Sequence, residues 1–256
     1  MITEPPKNWN DLQDKVNYIF NCIGLHSEKE KVLETPRGTT EVDVFAIDPQ
    51  SIDKIKYIVE CKNWNNKVPQ TIVHAFTTVM YETGSNIGYI ISKEGFQKGA
   101  TEYVKSTNIK LFTYEEFQNH YFETWYKKYF AAEISNASNE LIQFTEPQNS
   151  RRFRYQKHLN KAGEEELNQL IEKHSLFSNF ILIVSNPYGE FINIFSEDKS
   201  PILSLKDIQS ALFECFKRKY DFNNYVDALE TIKSIIKTAT EEFIKVFGTN
   251  IFLTKE

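Results

Sequence analysis

Four residues stand out for chemistry by type and spacing: Asp43, and the run Glu60-Cys61-Lys62. In a β-strand alternate side chains share a face. Glu60 and Lys62 therefore project together, and Val59 and Cys61 face the other way. Over 41–47 the same alternation puts Glu41 and Asp43 on one face, with Val42 and Val44 on the other. If the two stretches pair as a hairpin, Asp43 lies close to Glu60. Two carboxylates and an ammonium then converge at a strand end between apolar positions. Carboxylates that meet in a partly buried site repel one another, and a divalent cation relieves the repulsion. Hard oxygen ligands with open positions suit Mg²⁺, which takes one or two carboxylates together with a substrate phosphate. Such a metal polarises a phosphoryl oxygen and lowers the pKa of bound water. A lysine beside it can orient or deprotonate that water and stabilise charge on phosphorus. Cleavage of a phosphodiester bond needs these parts. Cys61, on the opposite strand face, reads as packing and not as a nucleophile, which would need an accessible, electropositive setting.

The elements that must position these residues are readable in the first half of the chain. Leu12, Val16, Ile19, Phe20 and Ile23 form a helical stripe over 8–23, and Gly24 follows where a helix C-terminal glycine belongs. Strands are expected at 29–34, 41–47 and 56–62, with turns at Pro36-Arg-Gly-Thr-Thr and at 48–53 around Pro49. Pro69 opens a helix over 69–82. A strand at 87–92, a helix at 96–106, a strand at 109–113 and a helix at 114–132 complete the order α-β-β-β-α-β-α-β-α, which suits a sheet with helices on both faces. A polar, small-residue stretch with Pro147 makes 133–150 a linker, and a basic cluster (Arg151, Arg152, Arg154, Lys157, His158, Lys161) comes next. This cluster is expected as a solvated helix face, or else as a contact for a nucleic-acid backbone. Beyond it, helices are expected at 162–174, 205–220 and 226–247. Strands are expected at 179–185 and 190–196, joined by the turn Asn186-Pro-Tyr-Gly.

Composition sets the outer bounds. The 256 residues are 41% hydrophobic and 14% aromatic, with 20 Phe, 13 Tyr and only 9 Gly, which excludes disordered and collagen-like chains. No apolar run approaches the ~20 residues that cross a bilayer. The start, Met-Ile-Thr-Glu-Pro-Pro, lacks the basic and apolar regions of a signal peptide. Cys22, Cys61 and Cys215 are odd in number and widely spaced, as free thiols of a reducing compartment would be. A cytoplasmic location with no membrane partner is the expectation. The net charge of −5 argues against a protein that coats nucleic acid nonspecifically, but leaves room for an enzyme with a local basic groove.

At this point the chain resembles the PD-(D/E)xK nuclease superfamily, in its Mrr-like restriction endonuclease branch, over about residues 8–117. The resemblance rests on an ordered set: Ile23-Gly24, Gly38, Glu41-Val-Asp-Val-Phe-Ala46, Glu60-Cys-Lys-Asn-Trp64, Val68, Ile87-Gly-Tyr-Ile-Ile-Ser92, Gly95-Phe96, Lys98-Gly-Ala100 and the run 109–112. It implies a restriction-endonuclease-like α/β fold, a mixed sheet flanked by helices, in a nuclease domain over 1–132. After the linker at 133–150, a smaller α+β or helical domain over 151–256 would serve recognition, dimerisation or partner binding. The implied activity is Mg²⁺-dependent DNA endonuclease, with Mn²⁺ able to substitute, leaving a 5′-phosphate and a 3′-hydroxyl in restriction or antiphage defence. Asp43 and Glu60 would be metal ligands, the Cys61 carbonyl a further ligand, and Lys62 the residue that positions or activates water. The glutamate that family members carry on the first helix falls on Gln13, a neutral group that either faces solvent or hydrogen-bonds a metal-bound water; Glu41 could compensate for the missing charge. Cleavage of both DNA strands calls for two active sites, hence a homodimer or larger assembly, and a defence-system partner protein is compatible with the second domain. Two alternatives remain open: a nuclease acting on RNA or structured DNA, and a catalytically inactive nuclease fold that binds DNA or another protein.

Overall fold

Asn8 starts the first helix, α1 (Trp9–Cys22), by accepting a hydrogen bond from the Asp11 N–H. Gly24, at φ 94°, turns the chain out of it. The buried stripe of α1 is Leu12, Val16, Ile19 and Phe20, as the periodicity predicts, together with Gln13. Strands β1 (His26–Thr35) and β2 (Gly38–Ile47) form an antiparallel hairpin, and β3 (Lys56–Lys62) pairs antiparallel to β2. Two right-hand neighbours, β4 (Ile87–Ser92) and β5 (Ile109–Thr113), extend the sheet in parallel. The strand order is β1-β2-β3-β4-β5. Between β3 and β4 lies α2 (Gln70–Thr83), and between β4 and β5 lies α3 (Lys98–Tyr103) with a 3₁₀ turn at Val104–Ser106. After β5 comes α4 (Tyr114–Trp125), opened by a Thr113–Glu116 capping box. This is the mixed sheet flanked by helices that the sequence predicts. The computed structural model describes residues 1–186 and 202–253, divided into compact units Met1–Lys128 and Tyr129–Glu256.

Two apolar layers hold the sheet. On one face Val42, Phe45, Ile58 and Ile90 pack with Val73, Phe76 and Met80 of α2. On the other, the Phe20 ring of α1 meets Tyr57, Tyr89, Phe117 and Tyr121 at centroid distances of 5.5–6.2 Å. Strands β3 and β4 alternate strictly between the two layers, Tyr57 against Ile58 and Tyr89 against Ile90. Strand β2 does not. Val42 and Phe45, an odd number of residues apart, share the α2 layer. The expectation that Val42 and Val44 face together therefore fails.

The second unit is helical throughout its described residues: α5 (Ala131–Thr145), α6 (Ser150–Gln156), α7 (Lys161–Ser185), α8 (Leu205–Phe216) and α9 (Tyr225–Phe247). A five-residue π-helical stretch, Tyr126–Phe130, follows α4 and leads directly into α5, so the segment expected as a helix over 114–132 is helical throughout, with a π-helical interruption. Where the sequence suggests a linker at 133–150, α5 continues to Thr145 and only the Pro147 segment is irregular. The strand expected at 179–185 is instead the last two turns of α7. Phe177, Phe180, Ile181 and Val184 are buried at helical spacing, and that burial overrides the β-propensity of the run Phe-Ile-Leu-Ile-Val. The strand expected at 190–196 and most of its turn lie outside the described residues. Within the basic cluster, Arg152 is not on a solvated face. It is buried, and it donates to the Phe144, Glu146 (2.8 Å) and Pro147 (3.3 Å) carbonyls, closing the C-terminal end of α5. No helix among the described residues is long and apolar enough to cross a membrane.

Candidate active site

The β2–β3 ladder runs from Ile47↔Lys56 to Val44↔Val59 and stops there. Asp43 and Glu60, the next residues on each strand, sit where the two strands part. On its other side β3 stays paired, with Glu60↔Ile90 and Lys62↔Ser92 on β4. The sheet thus fixes Glu60 and Lys62 from one flank and opens them on the other.

Asp43 is held at both carboxylate oxygens. Gln13 Nε2, from α1, donates to Oδ1 at 3.1 Å, and the Cys61 N–H donates to Oδ2 at 2.6 Å. Lys62 Nζ donates to Glu60 Oε1, and the pair is partly buried, with 17% and 26% of the two side chains exposed. The ammonium also lies 5.0 Å from the centroid of the exposed Trp64 ring, a cation–π contact. Burial pushes the Glu60 carboxyl above its usual range; the Lys62 hydrogen bond opposes this, and the nearby Asp43 charge adds to it. The Cys61 thiol is fully buried, and burial pushes it well above its usual range, so it is neither a thiolate nucleophile nor a sulfur ligand. Glu41 is exposed.

Gln13 is more informative than its neutral side chain suggests. It is completely buried, and its Oε1 has no hydrogen-bond partner. A buried amide oxygen left without a donor costs stability, so this atom awaits one. Among the described residues no group of three or more His, Cys, Asp and Glu side chains is arranged to hold a metal. The donor set here is different: two carboxylates, the Cys61 carbonyl, and an amide oxygen able to accept from a coordinated water. That set fits a small hard cation that keeps several of its own waters, and it would suit a soft or thiolate-seeking metal poorly.

Asp43, Glu60, Lys62, Gln13 and the Cys61 backbone, the residues singled out by sequence, are thus brought to one place. Trp64 reads from residue type as a packing residue, and its seat for the Lys62 ammonium is visible only in the fold. Nearby, a cavity of about 340 Å³ opens at the carboxyl ends of the three right-hand strands, lined among others by Leu12, Asn63, Ser92, Thr113 and Tyr114. The loops after β3 and β4 rim this end of the sheet. They are stapled by the bridge Val68↔Phe96 and by bonds Val68 N–H to Gly95 O (2.9 Å), Gln97 N–H to Val68 O (3.0 Å) and Lys93 N–H to Lys62 O (3.0 Å). Exposed Lys67, Lys93 and Lys98 stand on or next to these loops.

Residues 8–121 match the family described as restriction endonuclease, Mrr_cat, so the resemblance seen in the sequence holds over this segment. No curated protein matches the chain. Among solved structures, a protein of unknown function, AF1548, is 13% identical with a TM-score of 0.39, over 94% of this chain and 99% of that one. A repair endonuclease from Pyrococcus abyssi is 18% identical with a TM-score of 0.31, over 43% and 48%. The DNA modification-dependent restriction endonuclease AspBHI is 11% identical with a TM-score of 0.26, over 41% and 28%. The chain therefore spans about half of the Pyrococcus enzyme and under a third of AspBHI.

Proposed function

We propose that this protein is a Mg²⁺-dependent endonuclease that hydrolyses DNA phosphodiester bonds, with Asp43, Glu60 and Lys62 as its catalytic set. The observation that carries the reading is the opening of the β2–β3 ladder at Asp43 and Glu60, with the Lys62 ammonium on Glu60, inside the segment that matches the restriction endonuclease family. Asp43 and Glu60 would hold the metal, and the Cys61 carbonyl is a further oxygen within the same strand. A bound Mg²⁺ supplies Lewis-acid stabilisation of the phosphoryl oxygens and acidifies water.

The chain's own residues do the rest. Gln13 and the Cys61 N–H fix the Asp43 carboxylate in one orientation, so that it is preorganised before substrate arrives. The free Oε1 of Gln13 accepts a hydrogen bond from water in the site. Lys62 carries positive charge to where negative charge grows on the scissile phosphate, and its second task is to orient the attacking water. Trp64 restrains the lysine against solvent. The lysines of the two stapled loops bind flanking phosphates. Restriction of foreign DNA, in a cell compartment without disulfide formation, is the setting that the family match and the three free cysteines support.

The test is cleavage of supercoiled plasmid, methylated and unmethylated, with Mg²⁺ or Mn²⁺. Asp43→Ala and Lys62→Ala are each expected to cost on the order of a hundred-fold or more in rate, the usual scale for a metal ligand or a charge-stabilising donor. Metal-independent cleavage, or wild-type rates in either variant, refutes the assignment. Cleavage of RNA or branched DNA with none on duplex plasmid keeps the site and replaces the substrate.

A further inference from the structure

We propose that the left-handed backbone of Glu30 positions Asp43 for its role in the site; the inference rests on the nuclease reading above. Glu30 lies in the middle of β1 with φ at 51°, a conformation that glycine adopts freely and glutamate does not. Its side chain is exposed, and its electrostatic attraction to the adjacent Lys29 does not fix the backbone. The effect is on the strand. Lys29 pairs with Val44 and Lys31 with Val42, but the intervening Glu30 and Asp43 are absent from the ladder. The register is the same on either side, so no residue has been inserted. What changes is the pleat.

Both strands record that change. On β1, Lys29 bonds Asp14 of α1, whereas Leu33, an even number of residues on, packs into the layer beneath α2. On β2, Phe45 and Val42 share that same layer despite odd spacing. Counted by regular alternation from Phe45 and Ile47, Asp43 would point toward α2. It instead bonds Gln13 on α1, on the other side of the sheet, and the Cys61 N–H. The reset of the pleat, paired across from Asp43, is what turns its carboxylate into the site. A strained residue that persists with no packing reason of its own is the kind that surrounding structure keeps for function.

The experiment compares Glu30→Gly and Glu30→Asn, which accept a positive φ, with Glu30→Val, whose β-branch does not. On supercoiled plasmid with Mg²⁺, Glu30→Val is expected to lose about ten- to a hundred-fold in kcat with KM unchanged, the cost of a displaced catalytic group. The Gly and Asn variants stay within about two-fold of wild type, because the backbone is preserved. A second readout does not depend on activity. The Cys61 amide proton, bonded to Asp43, is expected to resonate downfield in the metal-free protein; in Glu30→Val it is expected at its position in Asp43→Ala, and in Glu30→Gly at its wild-type position. If Glu30→Val does not fold, Glu30→Thr makes the comparison with a polar β-branched side chain, and the same shift is expected. A Glu30→Val protein that keeps both wild-type kcat and the Cys61 resonance overturns the proposal. So does a Glu30→Gly protein that loses them, or a Thr variant that shifts no more than Gly. Absence of cleavage by wild type on plasmid, RNA and branched DNA alike sinks the nuclease reading alone, since the Cys61 resonance still decides the role of Glu30.

Discussion

Glu60 shows at the scale of one residue what the site costs the fold. Burial, with the Asp43 charge adding to it, raises its carboxyl above the ordinary value of 4.5, although Lys62 partly offsets the rise. The folded state therefore binds the Glu60 proton more tightly than the unfolded state. Stability contributed by this group falls as pH rises through the window between the unfolded and folded values. Above that window the folded protein carries the full penalty of an ionised, crowded carboxylate; below it the penalty is gone. Glu60→Gln, in metal-free protein, is accordingly expected to melt a few degrees above wild type near pH ~7.5, with the gap closing as the pH falls toward ~4. Added Mg²⁺ stabilises wild type and narrows the gap from the other side. Thermal scans in EDTA and in Mg²⁺ at two pH values check this. A variant no more stable than wild type at neutral pH would show that Lys62 fully compensates the buried charge. Gln13 belongs to the same picture, as a polar side chain kept fully buried beside Asp43.

At the scale of elements, the two stapled loops after β3 and β4 and the start of α3 carry exposed Lys67, Lys93 and Lys98, with Glu94 beside Lys93. Their lysines are exposed and stand apart from the Asp43–Glu60 pair, so they act on binding and not on the chemical step. Lys67→Ala with Lys98→Ala is expected to raise KM for DNA several-fold, leave kcat near wild type, and flatten the salt dependence of kcat/KM by roughly one to two in log–log slope. Steady-state kinetics over a range of KCl test this; a fall in kcat alone would place these lysines in the chemistry. The same scale shows what the sequence made legible. The stripe on α1, the short strands of the sheet and the Glu60-Cys61-Lys62 run could be read because each follows a simple period or a local turn signal. The pleat reset at Glu30 could not, because a left-handed glutamate leaves no mark in residue type. Nor could the run ending α7: Phe180, Ile181 and Val184 favour a strand by propensity, and only their common burial makes them helical. Arg152 reads as one more surface cation until the carbonyls at the end of α5 are seen to surround it. In each case the deciding partner is remote in sequence, or is backbone that sequence does not display.

For the whole molecule, the net charge of −5 and the one candidate site among the described residues bear on how a duplex would be cut. Long-range attraction to DNA is weak for an acidic chain, so affinity rests on local contacts and is sensitive to salt. One site cleaves one strand. A chain acting singly must nick, release or reorient, and then find the opposite phosphate. A symmetric pair of chains presents two sites related by the two-fold axis that also relates the strands of a duplex. These routes differ in what accumulates. Paired chains convert supercoiled plasmid to linear DNA with little open-circle intermediate, and the rate of linearisation falls more steeply than in proportion to protein on dilution. Independent chains build up open circle first and stay linear in concentration throughout. Among the described residues of the second unit, α7 exposes Leu176, Leu182 and Ile183, apolar surface that pairing would cover, and the paired route is the expected one. A time course by agarose gel at several protein concentrations separates the two. Persistent open circle at every concentration would mean that the second unit serves another purpose than bringing two sites onto one duplex.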